Sequence, residues 1–380
     1  MRFPLSSAGG LALVAVLMMS TSALAAPDAT KIANSIVASM QAKGGTKATF
    51  DSATTQGDDV VITNLKMDRD GKTVTIPSVV VASPMDRTPG GFSAKSISFD
   101  NGSVKGDSDA DVTWKTGITT DAIVPDPSEM HSTAKITPFS HFEITGVSVS
   151  GPDMPGPVTI ASMAVDLGNV VDGAPNDGKF SMSGISVPGS VLQQGAEGAS
   201  MLAALGYDNL SADVVVEGGY DAAKTALTIR TITVDAKDIG KLAISGTFGG
   251  LPREKLQNAD QLEQLAPTAT LETAAIRFDD AGITNRVLDM QAKEMGGKRE
   301  DLVAMVPGFL PLAFTQVNIT DAAFQQQVTD AVKTFLADPK SLTINFAPSK
   351  PVLLMDVGKA AMTDPNSVFP LLAVGVSANN

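Results

Sequence analysis

The chain contains no cysteine, which excludes disulfides, thiol catalysis, thiolate-held zinc, iron–sulfur clusters and a lipid-anchored N-terminal cysteine. Only 2 histidines, 1 tryptophan and 2 tyrosines occur among 380 residues. That leaves little for imidazole chemistry, for the aromatic platforms of a glycosidase, or for the aromatic girdles of an outer-membrane barrel. Basic residues are also short: 28 Lys and Arg against 41 Asp and Glu give a formal charge of −13. Nucleic acid and anionic lipid surfaces both call for a basic surplus, so neither is an expected partner. Past the N-terminal region no apolar run is long enough to span a bilayer; the longest, Met305 to Phe314, is broken by Pro307, Gly308 and Pro311. What is present is a chain able to bury a core, with 43% hydrophobic and 18% charged residues.

The N-terminus carries a signal-like order. Arg2 is followed by an apolar run from Gly10 to Met19, then by Ala23-Leu24-Ala25 with small residues where a signal peptidase cuts. This predicts a signal peptide over residues 1–25, cleavage after Ala25, and a periplasmic protein with no transmembrane span in the mature chain.

Residues 26–282 read as a β-rich region behind one helix. Ile32, Ile36, Val37 and Met40 recur at helical spacing, and Gly44-Gly45 ends the pattern. The period then changes to two. Val60/Ile62 and Val74/Ile76 flank an Asp70-Gly71 turn, and similar alternation recurs at Ile97/Phe99, Phe142/Ile144, Met163/Val165 and Phe180/Met182. The alternating partners are mostly Ser and Thr, a polar face with high strand propensity. A helical stretch over Pro188 to Leu205 interrupts, weakened by Gly195 and Gly198. Strands resume at Val214/Val216, Leu227/Ile229, Ile232/Val234 and Leu242/Ile244. The opposite parity of Leu227/Ile229 and Ile232/Val234 predicts a bulge or a strand buried on both faces. Residues 283–380 read as mostly helical with two closing strands, Leu342/Ile344/Phe346 and Val374/Val376. The expected class is α+β and strand-dominated: a long antiparallel curved sheet or groove with a helical C-terminal segment.

The motifs with chemical potential are thin. Asp107, Asp109 and Asp111 have alternate-carboxylate spacing, but Val112 and Ile118 stand where a calcium loop needs Gly and Glu. His131 and His141 match no metal spacing. Asp279-Asp280 before Gly282 suits a turn into a helix, with Arg277 and Arg286 as pairing partners. No nucleophile elbow, P-loop or dinucleotide fingerprint occurs. Neither a metal nor another cofactor is expected, and enzyme chemistry is disfavoured.

The segment Asp213 to Pro252 sets a strand, a turn at Tyr220-Asp221, paired strands around Leu227 and Val234, and a further strand over Ile239 to Gly246. In this it resembles bacterial periplasmic AsmA-like and DUF945-like proteins, and Ile276 to Val306 resembles the helical closing segments of similar proteins. The resemblance implies antiparallel strands folded into a groove with an apolar interior. It points to Val214, Val216, Leu242 and Ile244 as lining for an apolar or lipid-like ligand. The alternative is a structural or partner-binding envelope protein whose sheet is simply packed. Both need the same apolar parity, so alternation leaves them open.

Overall fold

The computed structural model describes residues 27–42, 44–106, 110–131, 136–194, 197–256 and 259–380. The signal segment 1–25, Asp107, Asp109 and Gly195 lie outside the described residues.

Helix α1 (Ala29–Gln41) comes first. Asp28 caps it by accepting from Lys31 N at 3.0 Å, and Ile32, Ala33 and Ile36 form the buried stripe that their spacing predicts. There follow β1 (Lys47–Thr49), β2 (Ser52–Gln56), β3 (Asp59–Arg69), β4 (Lys72–Ala82), β5 (Met85–Asp86) and β6 (Gly91–Asp100). Next come β7 (Ser103–Gly106), β8 (Asp111–Thr113), β9 (Thr116–Pro125) and a 3₁₀ turn at Glu129–His131. Strands β10 (His141–Ser150), β11 (Val158–Val171) and β12 (Ala174–Pro188) lead into short helices α2 (Gly189–Gln194) and α3 (Glu197–Ala204). Then come β13 (Asn209–Asp221), β14 (Ala226–Ala236), β15 (Gly240–Gly249), α4 (Arg253–Leu256), a 3₁₀ segment at Ala259–Leu265 and β16 (Thr270–Asp280). Helices α5 (Ile283–Glu294), α6 (Arg299–Gln316) and α7 (Ala322–Ala337) precede β17 (Ser341–Phe346), β18 (Val352–Leu353), α8 (Leu354–Thr363), α9 (Val368–Leu371) and β19 (Val374–Ala378).

Among the described residues the 19 strands join one antiparallel sheet. The class is therefore strand-dominated with helices gathered toward the C-terminus, as the periodicity predicts. The compositional boundary at 282 does not divide the sheet, since β16 pairs with β17 from Ala274↔Phe346 to Asp279↔Ser341. Turn chemistry sets the hairpins: Asp70 and Gly71 both take positive φ between β3 and β4, the geometry of a primed two-residue turn.

Cross-strand register converts the alternation of single strands into rows. One row runs Val60–Val81–Ile97–Thr119–Phe142–Val165–Phe180 and continues Val216–Ile232–Ile244–Ile276–Ile344–Val376. Beside it lies a second, Ile62–Val79–Phe99 on β3, β4 and β6, and Ile144–Met163–Met182–Val214–Val234–Leu242–Phe278–Leu342–Ala378 from β10 onward. Intervening positions belong to the opposite face and are mostly polar or small with some β-branched residues, as in Ser181↔Val215↔Thr233↔Ala243↔Arg277. The sheet is thus amphipathic over most of its width.

The parity break in β14 is a bulge. Ile229 pairs with Gly246 and Ile232 with Ile244, so two residues of β14 oppose one of β15 and all four apolar positions stay on one face. The extra residue, Arg230, clamps the polar side. Its guanidinium donates to Asp177 of β12 and to Gly218 O of β13 at 3.0 Å, and lies 3.6 Å from Glu217. The pairing holds the Asp177 carboxyl below, and the Arg230 guanidinium above, their ordinary ranges.

The apolar run Met305 to Phe314 lies within helix α6. The helix continues through both Pro307 and Pro311 to Gln316. Each proline removes one helical hydrogen bond, but neither ends the helix, and Phe314 anchors it as its one buried residue among those described. Met305, Phe309 and Leu312 remain exposed. Among the described residues no helix is long and apolar enough to cross a membrane.

Candidate functional site

The two apolar rows are covered unequally. At the N-terminal end α1 lies across them: Val60, Ile62 and Val81 are 0% exposed, packed with Ile32, Ala33 and Ile36. Four further contacts hold the helix there. Lys31 Nζ pairs with Asp86 at 2.6 Å, Thr55 Oγ1 donates to Pro27 O at 2.8 Å, Gln41 Nε2 donates to Ala48 O at 3.2 Å, and Ser39 Oγ reaches Met130 Sδ at 3.6 Å.

At the C-terminal end helices reach the same face from both margins of the sheet. The Phe335 ring of α7 meets Phe278 edge-on at 6.4 Å. At the other margin Leu251, Leu256 and Leu265 pack on Leu227 and Phe248, while Val357, Leu371 and Leu372 pack on Leu271, Phe346 and Val374. Between these covers the rows lie open. From β10 to β19 no row residue is buried, and Val216, Val234, Leu242 and Ile276 are 37%, 39%, 39% and 37% exposed. Strands β10 to β16, which carry these residues, make this stretch about 29 Å wide at the usual spacing of about 4.8 Å.

Register brings all four sequence-predicted residues together. Val214 and Leu242 flank Val234, and Val216 and Ile244 flank Ile232, so the four form the corners of one apolar block with β14 through its centre. Val216 and Leu242 are exposed, while Val214 and Ile244 are half-buried. Sequence reasoning placed Ile232, Val234, Phe180 and Met182 on strands without assigning them to the site. Their own alternation was the available signal, but only pairing shows that they share the face.

An aromatic group marks where the covered end meets the open stretch. Phe99 stacks on Phe142 at 5.9 Å and meets Trp114 edge-on at 6.3 Å, and Trp114 Nε1 donates to Phe99 O at 2.9 Å. Two glycines make room. A methyl at Gly117 would fall within the Phe99 ring, and one at Gly102 within the Trp114 ring.

The polar candidates have structural partners. His141 starts β10 on the polar face, with Nδ1 2.7 Å from Asp166 and Nε2 3.9 Å from Glu143. His131 ends the 3₁₀ turn. Asp279 pairs with Arg277 at 2.6 Å, whereas Asp280 accepts from Gly282 N and Thr284 N at 2.8 and 2.9 Å, opening α5. Arg286, considered as a partner for these carboxylates, instead stacks over the Tyr207 ring at 4.3 Å. Asp111 begins β8 and pairs with Ser150. Among the described residues no three His, Asp or Glu side chains gather as a metal-binding group. A family model described as an uncharacterized protein matches residues 233–379, from within β14 to the end of β19 and less than half of the chain. No curated protein matches the chain.

Proposed function

We propose that this chain is an extracytoplasmic binding protein that holds an apolar, lipid-like molecule along the open apolar rows, acting as a groove without catalysis. The observation that carries the reading is the contrast within one row: Val60 and Val81 are fully buried beneath α1, whereas Val216 and Ile276 lie more than a third exposed. Contiguous apolar patches of this extent are uncommon on monomeric surfaces and mark places where something else binds. A long, uncharged, apolar floor suits an alkyl-rich molecule, because burial there is favourable roughly in proportion to apolar area and makes no demand for polar partners. The signal-like N-terminus supports the compartment.

The test is direct. The mature protein is purified from the extracytoplasmic fraction, extracted with organic solvent and analysed by mass spectrometry. An apolar molecule should co-purify, and a fluorescent fatty-acid or phospholipid probe should bind after its removal. A protein that carries nothing and binds neither probe overturns the proposal, and leaves a protein partner as the occupant of the face.

A further inference from the structure

The apolar rows do not stop at the open stretch. Val79 pairs with Phe99 and Val81 with Ile97, and beneath α1 Val79, Ile97 and Phe99 border an apolar pocket of about 200 Å³ that opens to the surface. Ile36, Ser39 and Met40 of α1 form one wall, and Leu65, Ile76, Val79 and Phe99 of the sheet form part of the other. The lining has one side-chain polar group, the Ser39 hydroxyl, already directed to Met130 Sδ. Such a lining favours hydrocarbon: an engineered protein cavity of about 150 Å³ walled by similar side chains takes benzene or xenon. It is also smaller than the roughly 300–1,000 Å³ that whole ligands occupy, so it suits part of a molecule.

We infer that this cavity receives the terminal portion of an alkyl chain whose remainder lies along the open rows, with Phe99 as the shared boundary. The inference rests on the proposed binding function and adds to it a direction: the chain end is inserted beneath α1, and the rest of the ligand runs out from it along the open rows. Three observations on the molecule fix the occupant. Uncharged lining selects hydrocarbon, the volume admits only a chain end, and Phe99 stacks on Phe142, the first row residue beyond the cover. Trp114, edge-on to Phe99, sits where a chain crossing that boundary would change its surroundings.

The experiment fills the cavity from opposite walls with Ile76→Phe and Ser39→Leu, and measures octadecanoic acid binding by probe displacement and by Trp114 emission. The parent should bind with a change in Trp114 emission. Both variants, folded as judged by circular dichroism and urea midpoint, should bind roughly tenfold or more weakly, equivalent to losing about two buried methylenes, and without the emission change. Should Ile76→Phe fail to fold, Ser39→Leu carries the test with the smaller added volume. Binding and emission that match the parent in a folded variant overturn the inference while the groove reading stands. A parent that binds no chain at all overturns both.

Discussion

Replacing Leu242 by serine and, separately, Ile62 by alanine sets the open and covered parts of the apolar rows against each other. Ile62 is 0% exposed and enclosed by α1 and its strand neighbours. Its truncation removes buried methyl groups and leaves a cavity, at a cost of about 2–5 kcal/mol. Leu242 is 39% exposed, with Val234 and Phe278 beside it in the row. Full burial of a leucine contributes about 1.5–3 kcal/mol, and little cavity can form where the outer side is solvent, so Leu242→Ser should cost about 1–2 kcal/mol. The assay is urea unfolding followed by circular dichroism, with the slope compared between proteins so that a midpoint shift is read as stability. Binding should order the other way: Leu242→Ser weakens the fatty-acid probe several-fold, while residual folded Ile62→Ala retains its open rows. A stability loss in Leu242→Ser as large as that in Ile62→Ala would refute the reasoning, because it would mean that the central face is packed.

Two further outcomes follow from specific contacts and one from the signal-like N-terminus. Gly117→Ala places a methyl against the Phe99 ring and should cost about 1–3 kcal/mol by overpacking, with a shift of Trp114 emission; an unchanged melting temperature would contradict the close approach. The Arg87 guanidinium donates to both Glu129 carboxylate oxygens, at 3.0 and 3.2 Å, and holds that carboxyl below its ordinary range, with Asp126 N adding to the effect. Stability from a lowered carboxyl is fully present above its unfolded pKa and is lost as pH falls through the folded value. Arg87→Met should therefore cost about 1–2 kcal/mol near neutrality and flatten the acid limb of a stability–pH curve, and a curve parallel to the parent's would count against the pair. N-terminal sequencing of the exported protein should begin at Ala26, and a chain that retains Met1 would refute the signal reading.

Much of the secondary structure was legible because its periods are local. The stripe of Ile32 and Ile36, the Asp70-Gly71 turn and the parity break around Arg230 each announce an element within a few residues. The exceptions have local rules and distant causes. Pro307 and Pro311 interrupt the apolar run, while α6 runs through them with Phe314 as its buried anchor. Asp279-Asp280 read as a turn, and its division into a partner for Arg277 and a cap for Thr284 needed the folded geometry.

The sequence by itself determined an amphipathic, strand-dominated chain, since side-chain alternation along a strand is set by covalent geometry and does not depend on which strand pairs with which. It also bounded the chemistry through missing cysteine and scarce histidine. Only the tertiary structure decided that Val214, Val216, Leu242 and Ile244 stand in one block, because register is a relation between distant segments. The same holds for cover. Val60 and Val216 have the same residue type, the same alternation and places in one row, yet α1 lies over the first alone. Burial depends on what a separate element does after the strands have paired, and that is why the open face could be read only from the fold.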